Sequence, residues 1–181
     1  MFPRSRLNES RAFSRIVGLA NRATFLLRDT FSVALTPGNI NNSLTIDNQL
    51  RNVIDTNNQI SIISGSISFN TGTAANDGIW WPVQTRLNGT IFRVEVNTVN
   101  LSGTINVGFD SNQSGAILDA LQFGPSGTIN IIPNGGSIVP VGSYVVSTTY
   151  TVAVSLRTTG VYWFIKGGTY TYFTHQTPQH S

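Results

Sequence analysis

From Phe25 onward, apolar side chains recur at every second position, in short runs separated by turns rich in glycine, asparagine, proline and serine. In residues 148–157, for example, Tyr150, Val152, Val154 and Leu156 alternate with small or polar residues. A period of two places alternate side chains on opposite faces of a strand, so one face is expected to be core and the other solvated. About a dozen such runs, with turns spaced roughly 8–12 residues apart, predict an all-β chain that folds as an antiparallel sandwich or barrel.

The same alternation assigns individual side chains and strands. It predicts that Val94 and Val96 face the core, and that Arg93 and Glu95 face solvent. It also predicts an opening strand over residues 24–34, where the period of two begins.

Composition limits how such a chain is held together. The chain has 181 residues, which is enough for one well-buried domain, and it has no cysteine, so neither disulfides nor thiolate metal sites contribute. Only 10% of the residues are charged, against about 25% in typical soluble domains. A surface with so few charges gives little protection from association, so we expect neighbours in an assembly to cover part of it.

Residues 1–28 differ from the rest of the chain and are predicted to form a basic arm. Six arginines and Glu9 give this segment a formal charge of +5, so the remainder carries −2 of the total of +3. Within it, residues 8–23 show the three- and four-residue spacing of an amphipathic helix. An anchor in a neighbouring subunit is expected to use Arg11, Phe13, Arg15, Ile16, Val17, Leu19 and Arg22. The alternatives are a solvated helix that lies on the chain's own sandwich, and a helix that binds an acidic surface, nucleic acid or a membrane surface.

Three segments carry a resemblance to a known family: LLRDTFS (26–32), ISIISGSISFNTG (60–72) and YTVAVSLRTTGVYWFIKGGTYTYF (150–173). Their order of strand, glycine turn and aromatic residue resembles the concanavalin A-like (laminin-G-like) lectin and glucanase sandwich, in the form found in phage virion proteins. The resemblance implies a two-sheet jelly roll over residues 29–174, followed by a polar tail at 175–181. The segment SRIVGLANRATFLLRDTF (14–31) also resembles the basic leaders that dock phage tail-fibre and other virion proteins to the particle.

The acidic residues do not form the catalytic pattern of this family. Glycoside hydrolases need two carboxylates across the scissile bond, but Glu95 is followed two residues later by Asn97, and the only other glutamate is Glu9 in the arm. A pair assembled from distant strands, such as Glu95 with Asp110, is the remaining alternative. His175 and His180 lie in the predicted tail, where nothing is expected to orient an imidazole for catalysis.

One short segment partly matches a calcium loop. Asp110, Asn112 and Ser114 place oxygen atoms at positions one, three and five, before Gly115. The match ends at position twelve, where Leu121 replaces the bidentate glutamate of such loops. An ordinary turn is therefore favoured over a structural calcium site, and no other cofactor is expected.

Four aromatic residues are candidates for a binding surface or for the core. Alternation within residues 78–83 places Trp81 toward the core and Trp80 outward, while Tyr170 and Tyr172 share one face of a later strand. Exposed rings stack on saccharides and are also buried in protein interfaces. Trp80, Tyr170 and Tyr172 are thus candidates for a glycan site or an interface, unless the rings only fill the sandwich.

Together, these features favour a non-enzymatic protein. We expect a structural or adhesion component of a virus particle, either a phage capsid decoration protein or a tail-associated protein, present in many copies and fixed to other virion proteins by its arm. The main alternative is a carbohydrate-binding module on a virion or cell surface, and a hydrolase or lyase with a changed acid pattern is a third hypothesis. We expect neither a membrane span, for which about 20 apolar residues are needed, nor binding to nucleic acid.

Overall fold

The structure is a computed structural model, and it describes residues 29–63, 65–70, 73, 77–82, 89–110 and 117–177. The described chain is predominantly β, with antiparallel pairing in every sheet, as the alternation predicts. The chain divides into two compact units, with the boundary after Gln84. We call residues 29–82 the amino-terminal unit and residues 89–177 the carboxyl-terminal unit. The predicted helix over residues 8–23 lies outside the described residues.

The amino-terminal unit contains two separate two-stranded sheets. Its strands are β1 (Asn52–Ile54), β2 (Ile60–Ile63), β3 (Ser66–Phe69) and β4 (Gly78–Trp80), and β1 pairs with β4 while β2 pairs with β3. Gly65 lies in the β2–β3 turn with a φ of 81°, a conformation that glycine adopts without strain. A small core holds Ile40, Ile60 and Ile62, against which partly buried residues pack: Phe31, Leu35, Val53, Ile67 and Ile79.

The predicted opening strand is wrong over its described part, residues 29–34, which form no strand. The carboxylate of Asp29 accepts a hydrogen bond from the backbone N–H of Phe31, whose φ is 50°. A side-chain bond to the backbone two residues on favours a turn over an extended strand. Regular pairing begins only at Leu35, which bridges Ile62.

The carboxyl-terminal unit contains two four-stranded antiparallel sheets. The first has the order β12-β11-β10-β5, and the second has the order β6-β7-β8-β9. Their bounds are β5 Ile91–Asn97, β6 Ile105–Asp110, β7 Ile117–Phe123, β8 Thr128–Ile132, β9 Val139–Ser143, β10 Thr149–Arg157, β11 Gly160–Gly167 and β12 Tyr170–Thr177. One continuous core joins both sheets, with Leu121, Phe123 and Ile131 from one and Tyr150, Val152 and Trp163 from the other.

Alternation correctly predicts the faces of β5, where Val94 and Val96 contribute to the core and Arg93 and Glu95 are exposed. It is wrong for the second face of β10, which was expected to be solvated. Ala153 and Ser155 on that face are only 2% and 1% exposed. Ala153 lies opposite Phe164 of β11, and these two residues form a second apolar cluster with Ile91 and Tyr162. The middle of β10 is thus buried on both faces.

Tyrosine hydroxyl groups tie the loops and sheet edges of the carboxyl-terminal unit together. The Tyr170 hydroxyl donates to the Ser143 carbonyl and accepts from the Ser143 N–H, both at 2.9 Å, which connects β12 to the end of β9. Tyr144 donates to the Gly124 carbonyl, and Tyr150 accepts from the Val145 N–H. Each of these rings therefore places its apolar body in or against the core and satisfies a backbone group with its hydroxyl.

Candidate functional site

The most highly connected polar group in the amino-terminal unit is the carboxylate of Asp29. It accepts hydrogen bonds from Arg51 Nε at 2.5 Å, Arg51 Nη2 at 2.7 Å, Trp81 Nε1 at 3.0 Å and the Phe31 N–H at 3.0 Å. The Arg51 guanidinium also donates to Ser43 Oγ and the Leu44 carbonyl, and it lies 5.8 Å from the centre of the Phe31 ring. The ion pair and its donors thus join three segments that are distant in the sequence.

This ion pair is buried, since the side chains of Arg51 and Asp29 are only 3% and 5% exposed. Burial by itself raises the pKa of Asp29, but the bonds from Arg51, Phe31 and Trp81, together with the charge of Arg51, hold that pKa below its ordinary value of 3.8. The Asp29 carboxylate thus accepts four bonds, and the arrangement acts as a structural clamp.

Three other acidic side chains also hold turns or backbone groups. Asp55 accepts the backbone N–H groups of Gln59 and Ile60, and Asp77 accepts the N–H and hydroxyl groups of Thr56. In the carboxyl-terminal unit, the buried Asp119 accepts the Asn134 N–H. These carboxylates serve the local fold.

Glu95 lies on the outward face of β5 and forms an exposed ion pair with Arg93 at 3.5 Å. The side chain of Asp110, its predicted alternative partner in catalysis, lies outside the described residues. The predicted pairing of Glu95 with Asp110 therefore stays a prediction, and the described neighbour of Glu95 is a basic residue of its own strand.

His175 does not lie in the tail, because β12 continues to Thr177. It pairs with Trp163 of β11, and the two rings have a centroid distance of 6.3 Å. His180 lies outside the described residues. The boundary predicted after residue 174 therefore lies inside a strand. This strand, β12, is longer than predicted because it stays paired with β11 as far as Val161 and Thr177.

The predicted calcium loop is only partly described. Asn112, Ser114 and the side chain of Asp110 lie outside the described residues. Across the described ranges, no cluster of three or more histidine or acidic side chains is arranged to hold a metal ion.

The aromatic candidates have different surroundings. Tyr170 packs against the core, with its ring 6.4 Å from that of Tyr150, and its hydroxyl binds Ser143. Trp81 is half-buried against Phe31 and donates to Asp29, while Trp80 lies on the opposite side of the chain from the core residue Ile79. The side chain of Tyr172 is outside the described part. Trp80 is partly buried, and its Cα partner in the register of β1 and β4 is Asn52.

The predicted anchor residues lie outside the described residues: Arg11, Phe13, Arg15, Ile16, Val17, Leu19 and Arg22. In the parts of the chain that the structure does describe, no helix has the length and apolar character needed to span a membrane.

Sequence reasoning missed two features: the Asp29–Arg51 clamp and a group of exposed aliphatic side chains. At least twelve large apolar residues in the described ranges are exposed, among them Leu44, Ile46 and Leu50 in one loop. Alternation had no means of finding the clamp, because Asp29 and Arg51 are 22 positions apart.

Comparisons of the chain with protein-family models, with curated proteins and with solved structures gave no match.

Proposed function

We propose that this chain is a non-enzymatic structural or adhesion component of a virus particle, either a phage capsid decoration protein or a tail-associated protein. In this proposal, residues 1–28 fix the chain to other virion proteins, and the β-rich body faces outward. The body is proposed to belong to the concanavalin-like jelly-roll class. In support, β5 pairs with β10 although four strands of the other sheet separate them in the sequence.

The observation that carries the proposal is the amount of apolar surface that the described chain exposes. Val99, Val145 and Ile63 are 78%, 61% and 57% exposed, in a chain of which only 10% of residues are charged. Exposed apolar side chains in a chain with so few charges favour association, because little electrostatic repulsion opposes it. A particle built from many copies supplies neighbours that cover this surface.

The local role of the acidic residues also supports a passive protein. Asp29, Asp55, Asp77 and Asp119 each accept backbone or side-chain hydrogen bonds that hold the fold. A catalytic carboxylate instead has to face substrate with a suitable pKa.

Deletion of residues 1–28 tests the role of the arm. The truncated chain should keep the far-ultraviolet circular dichroism of a β-protein and should not be incorporated into particles. A matched control replaces Arg11 and Arg15 with lysine, which keeps the charge and the helical pattern. Particles that carry the truncated chain at the normal level would contradict the proposal.

A carbohydrate-binding module is the second candidate, and Trp80 is the observation that favours it. Its outward position next to Asn52 of β1 places an aromatic ring beside an amide, a combination used in saccharide recognition. A glycan array tests this candidate, with loss of binding expected for Trp80→Ala and no loss for Trp163→Phe in the core. Absence of binding by the unaltered chain would reject it.

A further inference from the structure

A hairpin in the amino-terminal unit has its polar and apolar sides reversed. Leu44 bridges Leu50, and backbone bonds on either side of this bridge join Thr45 to Gln49 and Ser43 to Arg51. Leu44 and Leu50 are 51% and 46% exposed, whereas Thr45 and Arg51 are 6% and 3% exposed. An exposed group of large aliphatic side chains over buried polar ones is the informative exception to the usual pattern.

The reversal is fixed by the polar side of the hairpin. Arg51 is held by two bonds to Asp29 and by bonds to Ser43 Oγ and the Leu44 carbonyl. Because successive side chains of an extended segment point in opposite directions, anchoring Arg51 inward directs Leu50 outward. Turning Leu50 inward would require breaking a buried ion pair, so the exposure of the leucines is a stable property of the fold.

The same face continues along β1 and onto β4. Val53 packs in the core, so Asn52 and Ile54 on either side of it share the outward face with Leu50. The register pairs Asn52 with Trp80 and Ile54 with Gly78, which places Trp80 on this face too. Its ring lies over Gly78, 3.3 Å from where a Cβ atom would be at that glycine. We call Leu44, Ile46, Leu50, Ile54 and Trp80 the aliphatic face, after its four aliphatic side chains.

The chemistry of the aliphatic face matches a second copy of itself. Four neutral amides, those of Asn41, Asn42, Asn48 and Gln49, adjoin it in the sequence, and Asp47 is the one charged residue between positions 30 and 50. An apolar centre with a polar rim is the anatomy of a protein interface. With Asp47 as the one charged residue of this stretch, the face has little to select an acidic or basic partner. Two such faces meet without like-charge repulsion at their centre.

The size of the amino-terminal unit gives a second reason for a partner. It lies within residues 22–84, it has no disulfide because the chain lacks cysteine, and its core has three fully buried aliphatic residues. Units of this size are marginal unless disulfides, metals or oligomerisation add stability. A stable interface needs roughly 800 Å² from each partner, and we therefore assign the contact to the whole aliphatic face with its amide rim.

We propose that the aliphatic face docks the same face of a second copy of this chain, related by a two-fold axis. In a two-fold contact, every contact between one residue of the first copy and another residue of the second copy occurs twice, with the copies exchanged. Trp80 supplies the large aromatic side chain that interfaces favour. This inference deepens the proposed function. It rests on that function only because a particle brings many copies of the chain together.

Sedimentation velocity of the full chain tests this proposal. The unaltered protein should form a dimer, with twice the monomer mass of 19.6 kDa. The variant Leu44→Ser/Leu50→Ser should be monomeric at concentrations where the unaltered protein is dimeric, with affinity weakened tenfold or more. The matched control, Val99→Ser/Val145→Ser, changes two more exposed side chains of the carboxyl-terminal unit and should leave the dimer intact.

Folding of each variant is checked by circular dichroism, and because Leu44 and Leu50 are half-exposed their replacement leaves the buried core unchanged. A monomeric unaltered protein at about 100 μM, a concentration that reveals even weak dimers, would overturn the proposal. So would a Leu44→Ser/Leu50→Ser variant that dimerises like the control. Glycan binding by a monomeric protein that Trp80→Ala abolishes would assign the face to a saccharide instead.

The two proposals fail separately. A monomeric protein that still requires residues 1–28 for incorporation overturns the dimer and leaves the proposed function intact. A dimer whose arm-deleted form is still incorporated overturns the arm's role and leaves the dimer intact.

Discussion

Replacing Asp29 with asparagine removes the negative charge that neutralises the buried Arg51 guanidinium. The wild-type carboxylate accepts two bonds from Arg51 at 2.5 and 2.7 Å and one each from Trp81 and the Phe31 N–H. Asparagine keeps one acceptor oxygen but turns an amide NH₂ group toward donors. The guanidinium then stays in a site where its side chain is only 3% exposed, without a compensating charge.

Breaking a buried ion pair by removing one partner costs about 3–5 kcal/mol. This is a large part of the roughly 5–15 kcal/mol that stabilises a typical domain. The exposed pair of Arg93 and Glu95 provides the control, because its side chains are 33% and 61% exposed. Replacing Glu95 with glutamine should cost less than about 1 kcal/mol.

Hydrogen exchange measured by mass spectrometry reports the local stability of each unit separately. The reciprocal backbone bonds between Leu35 and Ile62 report on the amino-terminal unit, and β10 reports on the carboxyl-terminal unit. Asp29→Asn should speed exchange at Leu35 and Ile62 about a hundredfold or more, since each 1.4 kcal/mol is a factor of ten. If Asp29→Asn speeds this exchange no more than Glu95→Gln does, the assignment of the pair as a buried clamp is wrong.

Three further outcomes follow from the same contacts. Because the pKa of Asp29 is lowered in the folded state, the unfolded chain takes up the proton first. The stabilisation is therefore complete well above the ordinary pKa of 3.8 and is lost as the pH falls through the lowered pKa of the folded state. Urea midpoints should decline on acidification through this region in the wild type and decline less in Asp29→Asn. Tyr170→Phe removes both bonds to Ser143 and should lower the free energy of unfolding by about 1–3 kcal/mol, measured in urea; an unchanged midpoint would show that the hydroxyl does not tie the sheets. In Gly142→Ala the new Cβ would collide with the Tyr170 hydroxyl, so Gly142→Ala should lower the free energy of unfolding less in the Tyr170→Phe background than in the wild type. Strictly additive losses in this double-mutant cycle would contradict the close approach of the two residues.

Most strands follow from the sequence because the alternation of apolar and polar residues is a local signal. It locates β10 to within a residue at each end and assigns the faces of Val94 and Val96 correctly. It fails at Asp29, because a side-chain hydrogen bond competes with the extended backbone and gives no signal in the period of the sequence.

Alternation also leaves open which face of a strand is inside. In the hairpin of residues 43–51, the aliphatic Leu44 and Leu50 are exposed, whereas the polar Thr45 and Arg51 are buried. The choice is made by the bond between Arg51 and Asp29, a contact between residues far apart in the sequence. The second buried face of β10 has a similar cause, since Phe164 from the neighbouring strand covers Ala153.

Binding of the basic arm to another molecule is tested with a photo-cross-linking residue at position 13, in place of Phe13. Chains labelled with ¹⁵N are mixed with unlabelled chains, assembled and irradiated, and the cross-linked peptides are identified by mass spectrometry. We expect cross-links from position 13 to a different polypeptide, either another virion protein or a second copy. Cross-links confined to the same polypeptide, to residues 85–181 for example, would contradict it.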